Sequence, residues 1–313
     1  MNFAAPAQKL TKLALVAALL TALAIIFAGC SASTPNAAAQ ILAINAIADR
    51  EEVNNGSKKW DLNAHPASTA AKLSGCSAVL LITARGTDEP LSRGNLLSVV
   101  ANKLTEVLSK AQMEYKSNPA ANTNQRSAAV VASKTAVPIF QHYDLEYPAT
   151  AEFGESAPEG MRKLTDTLEN QARLCPEQKI LLAGYSQGAF TIAESLTAPS
   201  KRFLGTNTGL PSDKATANIA GIILYGDPRF VASEPYAYGS FKPGRDGIIP
   251  RLPGTLDRYA DIIRNYCVAH DIVCQAMQQN REDGHVAYFH NGMQDEGAKF
   301  LLEKLAASYE QEQ

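Results

Sequence analysis

Residues 180–183, Ile-Leu-Leu-Ala, run without a polar side chain into Gly184-Tyr185-Ser186-Gln187-Gly188, and a helical pattern over 188–196 follows at once. An apolar run, a glycine-flanked serine and a helix in that order describe a strand, a sharp turn and a helix, the G-x-S-x-G context in which a serine hydroxyl is lifted above a sheet. Strands elsewhere must then suit that sheet. Short apolar runs at 78–83, 136–139 and 219–225 are nearly continuous in hydrophobic residues, as expected of parallel strands covered on both faces. Helices are predicted between and after them at 96–113, at 159–174 with Met161, Leu164, Leu168 and Ala172 at helical spacing, at 258–266 and at 297–309. Alternating strands and helices give an α/β class, with one domain over 75–309.

A serine becomes a nucleophile only when a base takes its proton and an acid orients that base. In a sheet of this kind the chain order is serine, acid, histidine. His65 and His142 precede Ser186, which leaves His270, His285 and His290. His285 follows the turn Asp283-Gly284 and is the favoured base, whereas His270 and His290 read as solvated or packed imidazoles. Asp271, between Cys267 and Cys274, is the favoured acid, and Asp227 in Gly226-Asp227-Pro228 is its rival.

The N-terminus points outside the cytoplasm. Residues 1–29 carry Lys9 and Lys12, no acid, and an uncharged, almost wholly apolar run over 13–28, the layout of a cleaved leader and short for a spanning helix. Phe27-Ala28-Gly29-Cys30 resembles the lipobox of bacterial lipoproteins, in which the cysteine becomes the lipid-bearing N-terminus. Cys30 is thus the expected lipidation site, with an ordinary secretory leader as the alternative. Residues 30–74, small and polar at the start, read as a tether. The formal net charge of −2, without a dense basic run, excludes a nucleic-acid footprint, and 46% hydrophobic residues exclude disorder. Cys267 and Cys274 do not have metal-ligand spacing and no C-x-x-C occurs, so no metal or other cofactor is expected.

Several separated motifs resemble the cutinase family of serine esterases, and more closely the cutinase-like proteins of actinobacteria. They are Ala84-Arg85-Gly86-Thr87-Asp88-Glu89-Pro90, Tyr147-Pro148-Ala149, Cys175-Pro176 and the Ser186 pentapeptide. They continue through Gly226-Asp227-Pro228, Gly239-Ser240-Phe241, Cys267 to Cys274, and His285 with Tyr288-Phe289. The resemblance implies an α/β-hydrolase fold, a central mostly parallel sheet flanked by helices as a three-layer sandwich. It implies Ser186 as nucleophile, His285 as base and Asp271 as acid. Thr87 and Gln187 would form the oxyanion hole, and Cys76–Cys175 and Cys267–Cys274 would be disulfides.

The activity implied is extracytoplasmic hydrolysis of carboxylic esters through an acyl-enzyme, by a monomer tethered to the membrane through its lipid. A phospholipase, a glycolipid esterase or a non-catalytic envelope-binding module are the alternatives. Residues 275–284 (QAMQQNREDG) and Glu152, Glu155 and Glu159 make a polar rim where substrate would lie, with Ile248, Ile249 and Leu252 as an apolar lip. Charged groups resist transfer into a lipid or polyester phase, which favours esters of short to medium chain.

Overall fold

The computed structural model describes residues 73, 75–92, 94–117, 129, 132, 134, 137–276 and 284–311. The expected leader (1–29), Cys30 and the tether (30–74) apart from Leu73 lie outside the described residues. Six strands, β1 (Val79–Ala84), β2 (Phe140–Asp144), β3 (Lys179–Tyr185), β4 (Ile219–Tyr225), β5 (Ala237–Tyr238) and β6 (Ile263–Tyr266), form one sheet in the order β2-β1-β3-β4-β6-β5. Every neighbouring pair is parallel. The helices whose bounds lie among the described residues are α1 (Ser98–Ser117), α2 (Phe153–Leu174), α3 (Gln187–Ser195), α4 (Asp213–Ala217) and α5 (Met293–Glu310).

The continuous apolar runs are explained by two cores. Side chains alternate across a strand, so Leu81, Ala183 and Ile223 meet Val100 and Leu104 of α1 and Leu301 and Leu305 of α5 on one side. Leu80, Ile82, Leu182 and Ile222 meet Leu164 and Leu168 of α2 and Ile192 of α3 on the other. Each fully buried Leu or Ile contributes about 1.5–3 kcal/mol, and the result is the helix-sheet-helix sandwich expected of an α/β hydrolase. Cys76 is bonded to Cys175 across a sequence separation of 99, tying together the entries to β1 and β3. From β1 the chain moves to β2 on one side and then to β3 on the other. Such a reversal opens a crevice at the carboxyl ends of the two central strands.

Three expected elements differ. The second strand is Phe140–Asp144, not 136–139: the apolar run contains Pro138, which has no N–H to give to a ladder, and the true strand is a half-exposed edge with a mixed pattern. The expected helix at 258–266 is instead a 3-10 turn, Asp257–Tyr259, followed by β6. Helix α2 starts at Phe153, with Pro158 inside it, rather than at Glu159.

Candidate active site

β3 ends at Tyr185 and α3 begins at Gln187, leaving Ser186 as the turn itself. Its backbone stands at φ 52°, ψ −116°, a conformation that costs an L residue about 1–3 kcal/mol. The neighbouring frame enforces it: Ser186 N–H donates to the Tyr225 carbonyl at 2.8 Å, and the Ser186 carbonyl accepts from Phe190 N–H at 3.0 Å. Gly188 is required because a Cβ there would lie 1.9 Å from the Ala84 carbonyl oxygen. α3 can therefore start directly against the end of β1.

The Ser186 hydroxyl is half-buried and lies 2.9 Å from His285 Nε2. The other ring nitrogen, Nδ1, is 3.0 Å from both carboxylate oxygens of Asp271. Gly226, at φ 58°, admits the imidazole to this place, since a Cβ would come within 2.6 Å of His285 Cε1. The Tyr185 ring stacks on the imidazole at 5.0 Å, and its hydroxyl donates to the His285 carbonyl at 3.0 Å.

Asp271 is fully buried and accepts further hydrogen bonds from Val273 N–H (2.7 Å), Cys274 N–H (3.1 Å) and the Tyr288 hydroxyl (2.7 Å). Burial alone would raise its pKa. The adjoining His285, the Tyr288 hydroxyl and the Val273 amide outweigh burial and hold the carboxyl below its ordinary range. The Cys267–Cys274 bridge spans this turn, with Cα atoms 5.9 Å apart. Asp227 sits elsewhere: it accepts from Arg229 N–H and Asn265 Nδ2 and pairs with buried Arg251 at 2.8 Å. Its carboxylate braces the loops after β4 and is not bonded to a histidine.

Beside the serine, Gln187 Nε2 donates to Thr87 Oγ1 at 3.0 Å and to the Thr150 carbonyl at 2.8 Å, while Gln187 Oε1 accepts from Ser156 Oγ at 2.6 Å. The Thr87 hydroxyl is thereby fixed as an acceptor, leaving its own proton to donate. Gln187 N–H is the first amide of α3 and has no acceptor within the helix. One amide and one hydroxyl thus lie beside a serine that is in contact with an imidazole.

The surrounding surface is mixed. Glu152 and Glu155 are exposed and Glu159 is partly so. Of the expected apolar lip, Leu252 is 64% exposed and Ile248 half-buried. Ile249 is buried with Phe153, Met161 and Phe190, against which Phe203 and Leu204 pack. Gln275 turns inward, accepting from Lys242 N–H and donating to the Arg245 carbonyl, and residues 277–283 lie outside the described residues.

Sequence reasoning placed Ser186, His285, Asp271, Thr87 and Gln187, all of which the structure brings together. It gave no role to Tyr185, Ser156 or Tyr288. These act through contacts 17 to 100 residues distant in sequence, for which no local pattern exists.

A serine on a strand-turn-helix elbow, bonded to a histidine that is bonded to a buried aspartate, at the carboxyl ends of a parallel sheet, defines a hydrolase of the α/β class. Its family follows from comparison with known proteins. The family model for Cutinase matches residues 118–305, more than half of the chain, and the chain belongs to that family. The Cutinase of Kineococcus radiotolerans is 26% identical over 157 residues, 50% of this chain and 46% of its own length. Phospholipase Culp4 of Mycobacterium tuberculosis is 25% identical over 77% of this chain and 84% of its own length. Carboxylesterase Culp1 of the same organism is 25% identical over 75% and 85%. The alignments thus span less than half of the Kineococcus cutinase and of Cutinase 11 from Verticillium dahliae. Among solved structures, the catalytic core of acetyl xylan esterase from Trichoderma reesei superposes with a TM-score of 0.52 at 20% identity, covering 73% of this chain and 99% of that one. A cutinase-like protein from Cryptococcus sp. gives 0.51 at 19%, covering 75% and 98%. These likenesses establish the fold.

Proposed function

We propose that the protein is a serine carboxylesterase acting outside the cytoplasm. The observation that carries this reading is the unbroken relay from Ser186 Oγ through His285 to Asp271, at 2.9 and 3.0 Å. Ser186 attacks the ester carbonyl carbon as His285 Nε2 takes the hydroxyl proton, and Asp271 stabilises the imidazolium through Nδ1–H. The tetrahedral oxyanion is held by the amides of Thr87 and Gln187 and by the Thr87 hydroxyl. His285 returns the proton to the departing alcohol, which leaves an acyl group on Ser186. The same base then activates water, which releases the acid and restores the serine.

A fluorophosphonate probe is expected to label the wild-type protein at Ser186 and not the Ser186→Ala variant; equal labelling of both would remove Ser186 from this role. The exposed Glu152 and Glu155 favour soluble or envelope-associated esters of short to medium chain over a lipid or polyester phase. A series of p-nitrophenyl esters from acetate to palmitate is expected to peak below about ten carbons; a rate still rising at palmitate would contradict this.

A second reading, hydrolysis of envelope phospholipid, is supported by the alignment with Phospholipase Culp4 along most of both chains. Export is supported by the two disulfides, which belong to oxidising compartments. Lipid attachment at Cys30 rests on the sequence Phe27-Ala28-Gly29-Cys30, and mass spectrometry of the mature N-terminus tests it: an unacylated start at another residue would rule it out.

A further inference from the structure

The segment after β1 carries Thr87, and its shape is not set by regular secondary structure. Residues 86–89 make a turn closed by Glu89 N–H donating to the Gly86 carbonyl at 3.3 Å, with Asp88 at φ 57°. The Glu89 side chain folds back into this turn. Its Oε2 accepts from Gly86 N–H at 2.6 Å, and its Oε1 accepts from Leu96 N–H, just before α1, at 2.9 Å. Asp88 N–H goes to the Ala149 carbonyl at 2.7 Å. Of the four amides from Gly86 to Glu89, three are therefore occupied within the protein, and Thr87 N–H is the one left to point at a ligand.

The rest of the frame is equally fixed. Arg85 Nε donates to the Glu89 carbonyl at 2.8 Å, and its Nη2 reaches the Tyr147 and Pro148 carbonyls at 2.7 and 3.0 Å. Gly86 is pinned between Glu89 Oε2 and the Tyr185 ring, the same ring that stacks on His285.

We infer that Glu89 is a positioning residue for ester hydrolysis, its carboxylate accepting two amides at once so that Thr87 N–H stays free and aimed at the oxyanion. The inference rests on the esterase reading and adds to it a residue that touches neither substrate nor the serine. Only an ionised carboxyl accepts at both oxygens without carrying a proton of its own. Glu89 is 4% exposed, and burial pushes its pKa up to about 7 against the opposing pull of the Leu96 and Gly86 amides. The charged groups facing it are Arg85 from its own loop, which lowers the pKa, and Asp144 from β2, which raises it. The Tyr147 phenol beyond β2 is held protonated by burial, an effect that Glu89 reinforces. The turn therefore has its full set of acceptors above neutrality and loses one below it.

The test compares wild type with Glu89→Gln and Glu89→Asp. Gln has one acceptor oxygen, and Asp keeps the charge but falls short of spanning both amides. Loss of a whole oxyanion donor costs about 100- to 1,000-fold. Misaiming one is expected to lower kcat about 10- to 100-fold in either variant, with KM within about 3-fold. Inactivation by diethyl p-nitrophenyl phosphate, which also develops charge on a phosphoryl oxygen, is expected to slow in parallel. The acid limb of kcat/KM should change from two protons in wild type to one in Glu89→Gln.

Equal kcat per folded molecule in wild type and Glu89→Gln overturns the inference. So does a loss matched by the loss of folded protein, with the acid limb unmoved. Should Glu89→Gln not fold, the kcat and inactivation rate of Glu89→Asp decide in the same way. If wild type itself is not labelled by fluorophosphonate, the esterase reading fails; if wild type and the variants label at equal rates, only the role of Glu89 fails.

Discussion

Replacing Asp271 by Asn tests the relay most directly, because the surroundings dictate how the new amide must sit. Val273 N–H and Cys274 N–H both donate to Oδ1, so the Asn oxygen takes that position. The Asn Nδ2 group then occupies the place of Oδ2, facing His285 Nδ1 and the Tyr288 hydroxyl. The hydroxyl can turn to accept, and the imidazole, equally near both positions, is expected to accept from Nδ2 because the Asn oxygen is already taken by two amides. That moves the imidazole proton to Nε2, where it points at Ser186 Oγ, and the base can no longer take the serine proton. A wrong tautomer of this kind costs about 10⁴ in kcat, equivalent to about 5.5 kcal/mol at 1.36 kcal/mol per tenfold. Asp227→Asn is the control. It weakens the pairing with Arg251 and Asn265 but leaves the His285 contacts intact, so folded protein is expected to keep kcat within about 3-fold. Initial rates on p-nitrophenyl butyrate, normalised to folded protein by circular dichroism, give both numbers. A folded Asp271→Asn variant within tenfold of wild type would refute the reasoning, as would a 10³-fold loss in folded Asp227→Asn.

Further outcomes follow from the same contacts. Removing the Cys76–Cys175 bridge with two serines is expected to cost about 4–5 kcal/mol in urea unfolding while sparing kcat of the folded fraction. Removing Cys267–Cys274 should cost about 2–3 kcal/mol yet depress kcat, because that turn holds Asp271. Arg251→Met leaves buried Asp227 without its cation and is expected to lose about 3–5 kcal/mol, read from the urea midpoint; no change would show the pair to be dispensable. Two buried carboxyls pull the pH dependence of stability in opposite directions. Asp271, with a lowered folded pKa, stabilises above the unfolded carboxyl pKa, and that contribution disappears as pH falls through the folded value. Glu89, raised from 4.5 to about 7, contributes stability fully present below pH 4.5 and lost as pH rises through about 7, an effect of about 3 kcal/mol. Glu89→Gln should flatten urea stability between pH 5 and 7.5; an unchanged slope would deny the shift.

What was legible in the sequence, and what was not, follows from the range of the forces involved. The Ser186 elbow could be read because its determinants are contiguous: an apolar run, two close-packing glycines and a helix start. Asp271 and His285 were narrowed by chain order. Tyr259, Ile262, Ile263 and Tyr266 stand at helical spacing, yet the segment from Ile263 is a strand. Its place is set by β4, whose edge it completes, with Ile222 N–H donating to the Ile262 carbonyl at 2.8 Å. Pairing with a distant strand overrode local periodicity. The helix expected over 159–174 begins at Phe153 instead, with Pro158 in its first two turns, where one missing N–H is tolerated by the packing of Phe153, Ala157 and Met161. The roles of Glu89 and Tyr288 required knowledge of which amide or carboxylate each would meet across the fold.

In the export proposed above, N-terminus first, the two disulfides also impose an order of events on the chain. Cys267 and Cys274 emerge almost together, whereas Cys76 must wait as a thiol while 98 further residues are threaded before Cys175 arrives. Throughout that interval the nearest other thiol in the chain is Cys30, 46 positions upstream. Acylation of Cys30 would remove the one competitor able to trap Cys76 in a wrong pair. An unmodified Cys30 would therefore show itself first as slow or misdirected oxidation during biogenesis, before any change in the rate of ester hydrolysis.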